Sequence, residues 1–121
     1  MSNKLIWEPK GLYRKFTGEV IGDEILESNF ELQRHPKFES IDFIINDFLE
    51  VTGFKIDTNH TKTYAKTDEI AANTKFTLKI AIVVNQHALT DLANSYREEM
   101  IDKSFECEIF NILEDARLWV S

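Results

Sequence analysis

The sequence predicts an α/β protein with a mixed, mostly parallel sheet of about five strands, an N-terminal hairpin and flanking helices. The first observation is the segment 77–84 (TLKIAIVV), in which five of the last six residues are apolar and four of those are β-branched. A strand without alternation is covered on both faces, as in a parallel sheet with helices packed over it. The second observation is that predicted strands and helices alternate after the hairpin, which favours parallel pairing with right-handed crossovers.

Length, charge and cysteine content set the general class. A chain of 121 residues predicts one domain, residues 1–121, that needs no disulfide or metal to fold. The single cysteine, Cys107, excludes an intrachain disulfide and fits a reducing, cytoplasmic location. No signal peptide is expected, because the N-terminal residues meet Glu8 and Pro9 too soon, and no membrane span is expected, because no apolar run approaches about 20 residues. A net charge of −7 opposes non-specific binding to nucleic acid or to an anionic membrane.

The N-terminal third contains a hairpin and a helix. Residues 4–8 and 12–18 are extended runs on either side of a break at Pro9, a pattern typical of an antiparallel hairpin. A helix is predicted to begin at Gly22, where two acids in the first turn suit the positive end of the helix dipole. It is expected to end before Pro36, since the residue preceding a proline is pushed out of the helical conformation.

The middle of the chain has weaker patterns. Residues 41–47 predict the third strand, with an apolar centre that favours an interior position. Residues 48–56 are interpreted as a connection. Residues 58–72 are polar enough to allow two short, partly exposed helices.

The C-terminal third is better marked. A helix is predicted to begin at Asn85 or Gln86, and one of its faces carries a row of apolar and aromatic residues: Leu89, Leu92, Ala93, Tyr96 and Met100. Residues 105–109 alternate apolar and acidic, which predicts a half-buried strand near a sheet edge. A pattern like a capping box, from Asn111 to Glu114, predicts the start of the last helix.

Several short motifs in this order resemble those of the SpoIIAA-like family of the STAS superfamily. They are WEPKG (7–11), FTGEV (16–20), HPKF (35–38), the strand ending in ND (46–47), KIAIV (79–83), and IF (109–110) followed by EDARLWV (114–120). The resemblance spans nearly the whole chain and implies a compact α/β domain that binds something and is not known for catalysis. Some relatives of this fold are anti-sigma-factor antagonists, and others are similar to lipid-binding CRAL-TRIO domains.

One departure from the antagonist pattern concerns phosphorylation. Antagonist proteins carry an Asp-Ser-Ser-Gly-like motif after the third strand, and the nearest match here is EVTG (50–53). A residue with a hydroxyl group, Thr52, still precedes the glycine, but it is a threonine where the motif has a serine. The resemblance therefore leaves Thr52 as a candidate phosphorylation site. The more ordinary interpretation is a polar turn in which Gly53 adopts a positive φ.

Candidate binding residues follow from the predicted sheet. Ligands of open α/β sheets bind beyond the carboxyl ends of parallel strands. Here the predicted ends lie at Asp47 and Phe48, and at Asn85 and His87. The helix that follows would add free backbone N–H donors. The alternative for Asp47 is a local hydrogen-bonding role in a cap or loop.

Catalytic signatures are missing from the sequence. It contains no nucleophile elbow, glycine-rich phosphate loop or dinucleotide fingerprint, and no pair of histidines has a metal-binding spacing. His60 could cluster with Asp57 and Asp68, but solvated loop residues are the simpler interpretation. Cys107 lies in the apolar phase of its strand, which favours a buried structural thiol. No enzymatic activity, cofactor or metal is therefore expected.

Three hypotheses for function follow. The first is a non-enzymatic binding or regulatory module that acts through a protein partner or as a homodimer. The second is a carrier or sensor of a small lipophilic ligand, because Phe48, Phe54 and Phe76 lie in or beside connections, where an apolar pocket would use them. Capping of the core explains these phenylalanines equally well. The third is an enzyme that uses Asp47, His87 or His60, because these side chains could converge at strand ends.

Overall fold

The computed structural model describes residues 3–75 and 77–121. Within these residues the chain forms five strands, four α-helices and one short 3-10 helix. The strands are β1 (Asn3–Trp7), β2 (Gly11–Ile21), β3 (Phe43–Lys55), β4 (Leu78–Val83) and β5 (Phe105–Phe110). The helices are α1 (Gly22–Arg34), α2 (Thr58–Lys75), α3 (His87–Glu99) and α4 (Leu113–Val120), and the 3-10 helix is Pro36–Ser40.

The five strands form one mixed sheet in the order β1-β2-β3-β4-β5. Strands β1 and β2 pair antiparallel, and every other neighbouring pair is parallel. This confirms the predicted α/β class, the N-terminal hairpin and the edge position of β5. The sequential order follows from connections that each carry a helix from one parallel strand to the next.

The two faces of the sheet are covered differently. Helices α1, α2 and α3 contribute to one apolar cluster, which also contains Ile44 of β3. Helix α4 contributes Ala116 to a second cluster, which contains Ile45 of β3. Successive side chains of a strand point to opposite faces, so β3 and β4 are buried on both sides. Three helices therefore cover one face and a single eight-residue helix covers the other.

The predicted end of β3 at Asp47 is wrong, because the strand continues to Lys55. Pairing with β4 ends where Asp47 meets Val83, but pairing with the eleven-residue β2 continues beyond that point. Thr52 and Gly53 accordingly lie in the strand and not in a turn. The positive φ values among the described residues occur at Gly18, on the facing strand, and at Asp102, and not at Gly53.

The helices follow the predictions with two exceptions. Helix α1 has the predicted bounds, and α3 begins one residue after Gln86, which is its N-cap. The segment predicted to form two short helices forms the single helix α2. The predicted capping box is also wrong, because the N-cap of α4 is Ile112, whose side chain makes no capping hydrogen bond.

Candidate ligand-binding cavity

A cavity of about 80 Å³ lies between the sheet and helices α1, α2 and α3. Most of the side chains around it are aliphatic or aromatic, including Ile25, Leu32, Ile44, Ile80, Leu89 and Phe105. An engineered apolar cavity of about 150 Å³ accommodates benzene. The cavity is therefore about half the size needed for a six-membered ring, and suits a few waters or a small organic molecule.

A buried arginine, Arg14, is the main polar group in the wall of this cavity. Arg14 lies on β2 in phase with the buried Leu12 and Phe16 and is only 4% exposed. Its Nε donates a hydrogen bond to Asn46 Oδ1 at 2.9 Å, and its Nη1 donates one to Ser28 Oγ at 2.9 Å. The guanidinium carbon also lies 5.0 Å from the centre of the Phe16 ring. All of these contacts are with electrically neutral groups.

The charge of Arg14 has no acid in direct contact with it. Within residues 3–75 and 77–121, no carboxylate oxygen lies within 4.0 Å of its guanidinium nitrogens. Burial lowers the pKa of Arg14 to about 10, although the charge of Asp68 opposes that change. Arg14 is therefore still a cation at neutral pH. A buried charge without a contacting partner costs folding free energy, and the charge of Asp68 in the same cavity wall offsets part of that cost.

A partly buried carboxyl group, Asp68 of α2, lines the same cavity. Its Oδ2 accepts a hydrogen bond from the Tyr96 hydroxyl, and its Oδ1 accepts one from Gln33 Nε2 at 2.8 Å. Burial raises the pKa of Asp68 to about 6, while these two hydrogen bonds and the charge of Arg14 act in the opposite direction. Both oxygens are thus occupied by neighbouring helices, and the group gains a proton just below neutral pH.

The approach of α2 to α1 fixes one end of the cavity. The Tyr64 hydroxyl donates to the carbonyl oxygen of Gly22 at 2.6 Å. A Cβ atom at Gly22 would lie 2.5 Å from the His60 ring, so this close approach requires glycine. Tyr64 lines the cavity together with Thr61. These contacts hold the N-terminal turn of α2 against the beginning of α1.

Of the two predicted phenylalanines that the structure describes, Phe48 lies at the cavity and Phe54 does not. Its ring stacks on Phe16, with centroids 4.4 Å apart and planes 3° apart, and it forms part of the cavity wall. Phe54 packs against the same apolar cluster without lining the cavity. Phe76 lies outside the described residues. The core-capping interpretation therefore fits Phe54, and the pocket interpretation fits Phe48.

Asp47 is buried on the opposite face of the sheet. Its Oδ2 accepts from the Tyr13 hydroxyl at 2.5 Å, and its Oδ1 accepts from the backbone N–H of Leu49 at 2.9 Å. Successive residues of β3 alternate between faces, so Asp47 points away from the cavity that Asn46 and Phe48 line. The alternative of local hydrogen bonding is the one that the geometry matches.

The remaining predicted binding residues are on the surface. The His87 side chain is 95% exposed, and its Nε2 lies 3.5 Å from Asp91 Oδ2. Asn85 is exposed between β4 and α3, and Thr52 is exposed in β3. None of the three lines the cavity. The strand β3 does not end at Asp47, but Asp47 pairs with Val83 at the end of β4, so the predicted grouping of Asp47 with Asn85 and His87 stays a prediction.

The predicted histidine cluster is only partly formed. His60 Nδ1 lies 3.2 Å from Asp57 Oδ1, and Nε2 lies 3.5 Å from Asp23 Oδ1. Asp68 instead pairs with Tyr96 and is not part of this group. Across the described part of the chain, no three His, Cys, Asp or Glu side chains are arranged to hold a metal ion.

Sequence reasoning missed the polar residues of the cavity, and two of them carried a signal. Arg14 occupies an apolar phase of β2, between Leu12 and Phe16, where a charged residue is unexpected. Asn46 occupies the same kind of position in β3, after Ile44 and Ile45. Polar residues at these two strand positions predict an internal polar contact. Asp68 had no such signal, because its helix lacks a clear apolar stripe.

These elements define a SpoIIAA-like α/β fold, which is the fold that the sequence motifs predict. The structure is similar to the crystal structure of an uncharacterized protein from the DUF3478 family with a SpoIIAA-like fold from Shewanella loihica PV-4. The likeness covers 98% of this chain and 92% of that one, with a TM-score of 0.54 and 15% sequence identity. No protein-family model and no curated protein matches the sequence. The comparison therefore establishes the fold and leaves the function to be argued from the cavity. Each helix among residues 3–75 and 77–121 is too short or too polar to cross a membrane.

Proposed function

We propose that this domain is a non-enzymatic module that binds a small, largely apolar molecule in the cavity beside Arg14, as a carrier or a sensor. The observation that supports this proposal is the cavity itself, which combines apolar walls with a few buried polar groups. Ligand sites are typically concave, mostly apolar and equipped with a small number of polar groups that orient the ligand.

The surroundings of two candidate nucleophiles near the cavity, neither of which lines it, support binding over catalysis. A nucleophile needs an adjacent base to activate it. The hydroxyl of Ser28 accepts from Arg14 and donates to Asn3 Oδ1 at 3.2 Å, so neither of its described hydrogen-bond partners is a base. Burial raises the pKa of the Cys107 thiol to about 12, which keeps it in the unreactive protonated form. The polar groups of this region are thus suited to hold a ligand.

Native mass spectrometry tests this proposal directly. The protein is purified from its source cells without denaturation and measured in folded and denatured form. We expect extra mass on the folded protein that disappears on denaturation. Unmodified mass in every folded preparation would contradict the proposal.

A pair of alanine variants controls the experiment. Ala93 of α3 lines the cavity, so Ala93→Leu fills it and should abolish the retained mass. Ala88 is exposed on the same helix, so Ala88→Leu adds the same atoms outside the cavity and should leave the retained mass unchanged. Equal loss in both variants would place the bound molecule elsewhere.

A second candidate function is docking to a protein partner or to a second copy of the chain. Leu118 of α4 is 74% exposed and Ile112, just before that helix, is 49% exposed. Exposed apolar side chains of this size favour a contact surface. Light scattering over a range of concentrations, on the wild type and on Leu118→Lys, tests self-association. A monomer at all concentrations would contradict the homodimer, and pull-down with the same two proteins tests a different partner.

A further inference from the structure

We infer that the polar end of the cavity is a water-binding site, in which two or three ordered waters join Asn29 of α1 to Arg14 and Asn46 of the sheet. All three side chains line the cavity and are well buried, with Asn29 6% exposed, Asn46 9% and Arg14 4%. The inference goes beyond the proposed function and does not depend on it, because it concerns the protein before any ligand enters.

The carboxamide of Asn29 carries the argument. Within residues 3–75 and 77–121, neither its Oδ1 nor its Nδ2 forms a hydrogen bond. A buried amide without a hydrogen bond costs folding free energy. Among these same residues, every side-chain nitrogen or oxygen that is fully shielded from solvent has a partner. The amide of Asn29 therefore faces space that a water molecule can reach, and this residue lines the cavity.

Arg14 and Asn46 add unpaired donors to the same wall. Arg14 donates through Nε and Nη1, which leaves its Nη2 without a partner in the described part of the chain. Asn46 accepts from Arg14 through Oδ1, and no described residue accepts from its Nδ2. Asp68 adds acceptor positions, because each of its oxygens accepts one hydrogen bond and has the capacity for a second. The wall thus offers both donors and acceptors, which a water molecule can satisfy together.

The size of the cavity suits water. A water molecule occupies about 30 Å³ in the liquid, so a cavity of about 80 Å³ has room for two or three. Buried waters typically make about three hydrogen bonds to polar groups that have no other partner. Water is neutral, so it leaves the opposite charges of Arg14 and Asp68 in balance. A ligand that enters this end of the cavity would have to replace these hydrogen bonds, and one that cannot do so would lose affinity.

Water–protein NOE and ROE spectra of the isotopically labelled protein test the inference. They are recorded on protein whose folded mass equals that of the chain alone, after denaturation and refolding if a molecule is retained. Ile44 lines the cavity and lies on the same face of β3 as Asn46, and its methyl protons do not exchange with water. We expect cross-peaks between water and these methyl groups, with the sign that ordered water gives. Ile45 is fully buried on the other face, so its methyl groups should give none.

A pair of leucine variants assigns the waters to Asn29. Asn29→Leu replaces the carboxamide by an apolar side chain of similar size, and it should remove the water cross-peaks of Ile44. Asn94→Leu makes the same change at an exposed position of α3, and it should leave those cross-peaks unchanged.

The outcomes distinguish this inference from the proposed function. Absence of water cross-peaks at Ile44 in the wild type means that the cavity is dry and overturns the inference, without reference to either variant. Cross-peaks that survive Asn29→Leu, or that Asn94→Leu removes as fully, also overturn it. The proposed function fails separately, when native mass spectrometry finds no retained molecule, and ordered water at Ile44 would leave that result unchanged.

Discussion

Replacement of Asp68 by asparagine tests the electrostatics of the cavity. Burial raises the pKa of this carboxyl group from its ordinary value of 3.8 to about 6, despite hydrogen bonds from Tyr96 and Gln33 and the charge of Arg14. Between those two pH values the folded protein therefore holds more protons than the unfolded chain. The free energy of unfolding must then fall as the pH rises through this window, and the loss is complete above about pH 6.

The expected magnitude is about 3 kcal/mol, which is the free energy that corresponds to a pKa change from 3.8 to about 6. The asparagine variant cannot ionise, so it avoids this loss. Its stability relative to the wild type should therefore increase by about 3 kcal/mol between pH 3.5 and pH 7.5. The neighbouring groups do not titrate in this range, since the pKa of Arg14 is about 10, that of Cys107 is about 12, and that of Tyr96 is raised further above 10.

Urea unfolding of Asp68→Asn and of the wild type at several pH values measures this difference. Thr67→Ala changes a non-titrating neighbour on the same helix, so its stability difference from the wild type should be constant with pH. A difference for Asp68→Asn that is also constant, or that shrinks as the pH rises, would refute the reasoning. A constant difference would mean that burial does not raise the pKa of Asp68, and a shrinking one that the pKa is lowered, as a dominant interaction with Arg14 would cause.

Three further predictions concern other parts of the fold. Gly11→Ala should cost about 1–3 kcal/mol in urea unfolding, because its Cβ would lie 2.3 Å from the ring of Phe43. A Cβ atom at Gly18 would meet no other atom, but the φ of 68° is a left-handed conformation. Gly18→Ala should therefore lower the free energy of unfolding by about 1–2 kcal/mol, and no change would contradict the left-handed backbone at this position. Burial raises the pKa of the Cys107 thiol to about 12, so little reactive thiolate is present at pH 8. A thiol reagent should therefore label the folded protein at least about a hundredfold more slowly than protein unfolded in urea. Equal labelling rates would contradict the burial of this thiol.

Local patterns predicted the elements that have strong periodicity or clear ends. The apolar run of β4 is buried from Leu78 to Val84 with one interruption at Lys79, as expected of a strand covered on both faces. The apolar row of α3 faces the sheet, and Pro36 ends α1 at the predicted position. These features depend on residues close together in sequence, so the sequence was sufficient to predict them.

The length of β3 depends on a distant partner. Residues 48–55 contain a Thr-Gly pair that is typical of a turn, and β4 stops pairing at the predicted end. The strand continues because β2 remains beside it, with register shifts that absorb the irregular alternation near Gly18. Nothing local specifies an eleven-residue β2, so the sequence did not predict where β3 ends.

The cavity also depends on residues that are far apart in sequence. Arg14 contacts Ser28 and Asn46, which are 14 and 32 positions away, and Asp68 contacts Tyr96, 28 positions away. The sequence marks Arg14 as out of place in its strand, but it does not identify its partners. Of the residues predicted at strand ends, Phe48 lines this cavity, and Asp47, Asn85 and His87 do not.

The two faces of the sheet stabilise their buried charged groups differently. Asp47, under α4, accepts hydrogen bonds from Tyr13 and a backbone N–H. Arg14, under α1–α3, donates to Asn46 and Ser28, and the other charged side chain in the described wall of its cavity is Asp68. Above about pH 6 the Asp68 carboxyl is ionised, so this wall then carries one positive and one negative charge. Asp68→Asn removes the negative charge and leaves the positive one, and the pH dependence of its stability therefore tests how this face of the sheet accommodates the two charges.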